Sequence, residues 1–164
     1  KVFLNTEPIK TNLPEKNKSL EYLFTVLSKE DSKGYLQQIP SIDEYVTTIL
    51  KPYKDSAKRE SIKKFILEKK DGATYSYAEE ELKKSFLRSI ERGKEIGIVW
   101  SDAKFQFSKI DSTQKQYGKE YAGELHFTCH GKSYILRTEC IKYRDDFFIG
   151  DVRTPYINTD AEKK

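Results

Sequence analysis

Apolar residues recur at helical spacing along roughly the first hundred positions and at strand spacing along the remainder. Leu20, Leu23, Phe24 and Leu27 fall at i, i+3, i+4 and i+7, one face of a helix. Ser28 to Gly34 interrupts that face, and a short segment with Tyr35, Leu36 and Ile39 follows, ending at Pro40. Ser41-Ile42-Asp43-Glu44 has the form of a capping box, in which a hydroxyl and an acid three residues on exchange bonds with free backbone N–H groups. Ile42, Tyr45, Val46, Ile49 and Leu50 continue it as a helix that Pro52 stops. A third helix is predicted over roughly 55–70, with Ile62, Phe65 and Ile66 inward and Asp71-Gly72 closing it. Ser76-Tyr77-Ala78-Glu79 predicts the start of a longer helix with Leu82, Phe86 and Ile90 buried and Gly97 at its end.

After Ile98, Val99 and Trp100 the period changes to two. Ala103, Phe105 and Phe107 alternate with polar residues, and so do Tyr121, Gly123, Leu125, Phe127 and Cys129. His130-Gly131 suits a tight turn, and Tyr134, Leu136, Thr138 and Cys140 form the returning apolar set. A two-residue turn there pairs Phe127 with Tyr134, Leu125 with Leu136 and Tyr121 with Cys140 on the inner face, and Glu124 with Arg137 on the outer face. A four-residue loop keeps the same faces with another register. Arg144-Asp145-Asp146 makes the next turn, and Phe147 to Arg153 is the last strand, which Pro155 ends.

The pattern predicts an α+β fold: N-terminal helices packed on a curved antiparallel β-meander. It reads as one domain over 19–158, preceded by an extended arm over 1–18 and followed by a polar tail over 159–164. A chain of 164 residues fits a single domain. Composition adds that the surface is heavily charged: Asp, Glu, Lys and Arg make up 34% of the chain, while 11 Tyr, 9 Phe and one Trp supply core volume.

Charge is uneven. Between positions 51 and 70, Lys51, Lys54, Lys58, Arg59, Lys63, Lys64, Lys69 and Lys70 face only three acidic residues, which more than accounts for the net charge of +4. Single-strand nucleic-acid binders interleave exposed aromatics with such a stretch, and only Tyr53 is near, so a solvated helix face explains it better than nucleic acid. No apolar run reaches the roughly 18–20 residues of a transmembrane span. The chain opens at Lys1 and contains no Met, which reads as a processed or trimmed product and leaves room upstream for a removed targeting segment or a lipid anchor.

No motif points to a cofactor or a metal. His126 and His130 are four apart, a ligand spacing on a helix, but on a strand it separates Cα atoms by about 13 Å. Cys129 beside His130 is no activated pair, because neighbouring strand residues point to opposite faces. The register also keeps Cys129 and Cys140 too far apart to bridge, so both are expected as reduced core thiols.

The remaining candidate site is a ligand pocket formed by Tyr121, Tyr134, Phe147, Asp151 and Arg153. If the period-two face of Phe147 and Ile149 continues, Asp151 ends an aromatic wall, where burial raises a carboxylate's pKa and fits it for general base work. Against this, Asp151 and Arg153 suit a wet strand end where they pair with each other, and Phe148, Gly150 and Val152 serve equally as the inward set.

Helices followed by a long meander resemble the cystatin-like or nuclear transport factor 2-like α+β cone, and more closely uncharacterised secreted or envelope-anchored bacterial proteins of that shape. Three stretches carry the resemblance: Ile39-Pro40-Ser41, Gly97-Ile98-Val99-Trp100-Ser101 and Cys140-Ile141-Lys142-Tyr143. It implies a sheet wrapped around a helix, an exported protein and a cone that can hold a cavity, but no activity. The expectation is a non-catalytic binding or interaction domain whose partner is a small molecule or a protein. The alternatives are a hydrolase, isomerase or cyclase using a carboxylate in the cone, and an inhibitor or immunity-type protein.

Overall fold

The computed structural model describes residues 18–68, 73–115, 118–143 and 146–163. Most of the arm, the Asp71-Gly72 helix end and the Arg144-Asp145 turn lie outside these residues, as do the side chains of Ile42, Tyr45, Ile49, Phe65 and Ile66. The helices are α1 (Lys18–Ser28), α2 (Ser32–Gln37), α3 (Ile42–Leu50), α4 (Ser56–Glu68) and α5 (Ala73–Glu95). A 3-10 turn at Trp100–Asp102 leads to the strands β1 (Lys104–Lys115), β2 (Gly118–Cys129), β3 (Lys132–Tyr143), β4 (Asp146–Val152) and β5 (Tyr156–Ile157). They form one open antiparallel sheet in the order β1-β2-β3-β4, with β5 continuing along the same edge of β3 as β4.

Local chemistry explains most boundaries. Before α3, the Ser41 N–H donates to Glu44 Oε2 at 3.0 Å and the Glu44 N–H to Ser41 Oγ at 3.3 Å, the reciprocal bonds of a capping box. The second box is misplaced: α5 begins at Ala73, so Ser76 lies within the helix rather than ahead of it. At the other end of α5, Gly97 takes φ +97°, its N–H bonds Lys94 O and the Ile98 N–H bonds Gly93 O. This is the Schellman arrangement, with a glycine where a left-handed residue is needed. His130 and Gly131 both have positive φ, 49° and 81°, as a two-residue type I′ hairpin requires. That turn sets the β2–β3 register, which pairs Phe127 with Tyr134, Leu125 with Leu136, Glu124 with Arg137 and Tyr121 with Cys140.

The core lies between the inner face of the sheet and helices α1, α2 and α5. Leu20, Leu23 and Leu27 of α1, Tyr35 of α2, and Phe86 and Ile90 of α5 meet Leu125, Phe127, Tyr134 and Leu136 of the sheet. Leu82 packs at the margin of this cluster. Cys129 and Cys140 are buried in it as free thiols, and burial pushes Cys140 up to about 12. Neither is expected to react with an aromatic disulfide reagent in the native protein, and two equivalents should titrate after denaturation. Native reaction of even one thiol at the rate of the unfolded chain would contradict this packing.

Two bulges break the period of two. In β1 the register slips between Phe105 and Phe107, so Phe105 faces the core while Phe107 turns outward and Ser108 takes the buried position. The expectation that Phe107 is an inward residue is therefore overturned. A second irregularity, opposite Thr138–Cys140, leaves Phe147 and Ile149 inward and returns the inward role to Val152. The inward alternation from Ile149 to Asp151 and Arg153 is interrupted there by an extra residue. Pro155 ends β4 as expected, but the chain re-pairs beyond it, Tyr156 with Ile135 and Ile157 with Tyr134. The tail then forms a 3-10 turn at Thr159–Lys163 against β3.

The outer edge of β4 is closed by side chains. Gln38 donates from Nε2 to Ile149 O at 3.0 Å and accepts the Ile149 N–H at 2.6 Å, as a neighbouring strand would. The Tyr35 hydroxyl donates to Gly150 O, and Ser85 Oγ accepts the Val152 N–H at 3.3 Å. Sheet edges left open invite pairing with other chains, and these three residues satisfy this one.

Candidate functional site

Among the described residues the inner face of the sheet packs against α1, α2 and α5, and the groove they leave is on the outer face. Cross-strand neighbours there are set by the hairpin register: Lys109, Glu124 and Arg137 form one row, and Phe107, His126, Ile135 and Tyr156 the next. Phe107 and Tyr156, at 41% and 38% exposure, sit at the two ends of the second row. The Phe107 ring stacks on His126 at 4.1 Å, and the Arg137 guanidinium lies 5.7 Å from the Tyr156 ring.

Glu124 is the centre of the charged row. Its carboxylate lies 2.6 Å from His126 Nε2, accepts from Arg137 Nε at 3.1 Å and faces Lys109 Nζ at 3.5 Å. Partial burial alone pushes its pKa up, but the bonds from His126 and Arg137 and the charge of Lys109 outweigh that and hold it below the ordinary carboxylate value. A lowered folded-state pKa stabilises the fold above the unfolded value, and that contribution disappears as pH falls through the folded value. Glu124→Gln should therefore lower stability at neutral pH by about 1–3 kcal/mol and shrink the difference from wild type on acidification. Urea titrations at neutral pH and below the carboxylate range test this. An unchanged gap at both would remove Glu124 from the pH dependence.

Beside this row is an open groove of about 700 Å³ that crosses β2, β3 and the end of β4. Ala122 and Ile141 give it apolar surface, and Lys119, Glu139, Asp151 and Arg153 give it charge. Among the described residues, none of these four makes an ion pair, although Asp151 and Arg153 are only two residues apart and opposite in sign. The expected Asp151–Arg153 pair is thus not formed. The Arg153 backbone N–H bonds Arg137 O at 2.9 Å, and Thr138 Oγ1 donates to Asp151 O at 2.7 Å, which fixes the chain around both side chains.

Glu139 lies beside Gly150, the residue before Asp151. A Cβ on Gly150 would lie 2.9 Å from Glu139 Oε2 and 3.1 Å from Ile141 Cδ1, so a glycine here lets Glu139 lie over the strand. The buried Tyr35 phenol beneath is pushed up first by burial and then by the Asp151 charge, with Glu139 adding to it and Ser85 opposing.

Of the five pocket residues expected from sequence, the groove includes Tyr121, Asp151 and Arg153. Tyr134 and Phe147 belong to the core instead: Tyr134 is 1% exposed, with its hydroxyl 3.4 Å from Ile96 O, and the Phe147 and Tyr121 rings meet edge to face with centroids 5.1 Å apart. Glu139 and Lys119 were missed. Their signal was present, since the hairpin register puts Glu139 opposite Ala122, but nothing in the sequence set β4 alongside.

His126 stands on the outer face and His130 in the turn, 2.8 Å from Asp102. Among the described residues no three His, Cys, Asp or Glu side chains gather as metal ligands. The basic side chains Lys54, Lys58, Arg59 and Lys63 are exposed on and before α4, with Lys58 over the Tyr53 ring at 5.2 Å. No helix among the described residues is long and apolar enough to cross a membrane. No protein-family model, curated protein or solved structure matches the chain.

Proposed function

We propose that this protein is a non-catalytic binding domain whose ligand site is the groove beside Asp151. The observation that carries this reading is the set of four charged side chains lining one concavity without ion-pair partners among the described residues. An exposed ion pair is worth only about 0–1 kcal/mol, so charges solvated by water alone exchange it for a ligand's charge at little cost. The volume falls in the roughly 300–1,000 Å³ range of small-molecule sites. The Cys140 thiol is buried in the core on the other face of the sheet, so the groove takes only the polar and charged side chains of its lining as chemistry.

The finer fold reading, a cystatin-like or nuclear transport factor 2-like cone, belongs to the same proposal. It is supported by the order of helices before a meander and by α1 lying along the inner face of the sheet. Export to a bacterial envelope is proposed on the resemblance of the three short stretches alone.

The test is an unbiased thermal-shift screen of small molecules against wild-type protein, followed by Asp151→Asn. The variant should keep its own stability within about 0.5 kcal/mol, as an unpaired surface substitution does. It should weaken the screened ligand by about tenfold or more, or about 1.4 kcal/mol. A hit that binds the variant as well as wild type places the site elsewhere.

A further inference from the structure

We infer that the groove takes a small zwitterion, an amino acid or short peptide with both a free ammonium and a free carboxylate. This rests on the proposal that the groove is the binding site, and it names the chemistry of the occupant. The unpaired charges come in two of each sign: Glu139 and Asp151, Lys119 and Arg153. Other charges in the lining are already engaged, Arg137 by Glu124 at 3.1 Å for one.

Glu139 Oε2 lies over Gly150, the residue before Asp151, and both acids line the same groove, where an ammonium would meet acidic charge. Arg153 lies two residues along the chain from Asp151, anchored beside Arg137 by its backbone N–H. Lys119 is three residues before Ala122, which pairs with Glu139, so roughly 10 Å of strand separates it from Glu139. A cation thus lies near the acids through Arg153 and another at a distance through Lys119. A single amino acid spans the shorter gap. A tripeptide, about 10 Å long when extended, spans the longer one. A dianion would set one charge against Glu139 and Asp151, and a dication would meet Lys119 and Arg153, so each is disfavoured by the half of the site that suits the other. Ala122 and Ile141 leave an apolar floor under the backbone of such a ligand.

The experiment is isothermal titration of the full chain with glycine, triglycine, N-acetyl-triglycine and triglycinamide. Triglycine or glycine should bind, and whichever binds tighter identifies the cation in use. Acetylation, which removes the ammonium, and amidation, which removes the carboxylate, should each weaken triglycine by about tenfold or more. In Glu139→Gln/Asp151→Asn the acetylation penalty should vanish. The amidation penalty should vanish in Arg153→Gln or in Lys119→Gln. Far-UV circular dichroism checks that each variant is folded. Equal binding of all four probes, or no heat from any up to about 10 mM, overturns the zwitterion assignment. If the probes are silent but a ligand from the unbiased screen is lost in Asp151→Asn, the groove stands as a site and only its ligand class falls. If that ligand also binds the variant unchanged, both readings fall.

Discussion

Trp100→Ala should lower the free energy of unfolding by about 3–5 kcal/mol, a large share of what a domain of this size possesses. The indole is 1% exposed and joins the last helix to the sheet, donating from Nε1 to Ile90 O at 3.0 Å. Helix α5 accommodates it through Gly93, where a Cβ would lie 2.6 Å from indole Cζ2. Alanine would find no second group of that size to fill the notch, so both the transfer free energy and a residual cavity count against it. Urea unfolding followed by circular dichroism measures the loss, since the variant has no other tryptophan to report by fluorescence. A companion variant separates the notch from simple burial. Gly93→Ala would gain roughly 0.5–1 kcal/mol in an open helix, yet here it should destabilise, because the rigid ring beside it cannot give way. A stabilised Gly93→Ala would mean that the indole is not seated against α5.

How far the architecture was legible depends on whether a residue's role is set locally. The two faces of the β2–β3 hairpin were legible from its alternation, and of the two loop lengths open to it the two-residue His-Gly turn, with positive φ at both positions, is the one formed and sets every partner. The Ser41–Glu44 box and the Gly97 helix end were legible for the same reason: the bonds close within a few residues. The two bulges were not. Nothing in Phe105-Gln106-Phe107 distinguishes an even alternation from one with a residue to spare, and the choice is made by what β2 and α1 present from elsewhere in the chain. The same limit hid the groove. Its acidic side needs Glu139 of β3 next to Gly150 and Asp151 of β4, a juxtaposition created by the second bulge. Aromatic inward positions suggest an internal cavity lined by Tyr134 and Phe147, whereas among the described residues both pack into the core against the helices.

Phe127→Ala is the second large loss, again about 3–5 kcal/mol, and it probes the first bulge directly. Phe127 is fully buried, and its ring lies 5.7 Å from Phe24, 5.6 Å from Trp100 and 5.6 Å from Tyr134. Each such aromatic pair adds about 0.5–1.5 kcal/mol to the area buried. Because Trp100 is one of these neighbours, the two alanine substitutions share a cavity. The double variant should differ from the sum of the singles by about 0.5–3 kcal/mol. Phe107 is the control. Uninterrupted alternation from Phe105 would make it a core residue like Phe127, and Phe107→Ala would then cost several kcal/mol. The bulge instead puts it outside, stacked on His126 with two-fifths of its surface in water, so the cost should stay near 1 kcal/mol. Equal losses at Phe107 and Phe127 would show that β1 runs without its bulge. The rows of side chains on the outer face, and with them the partners of Glu124, would then have to be redrawn.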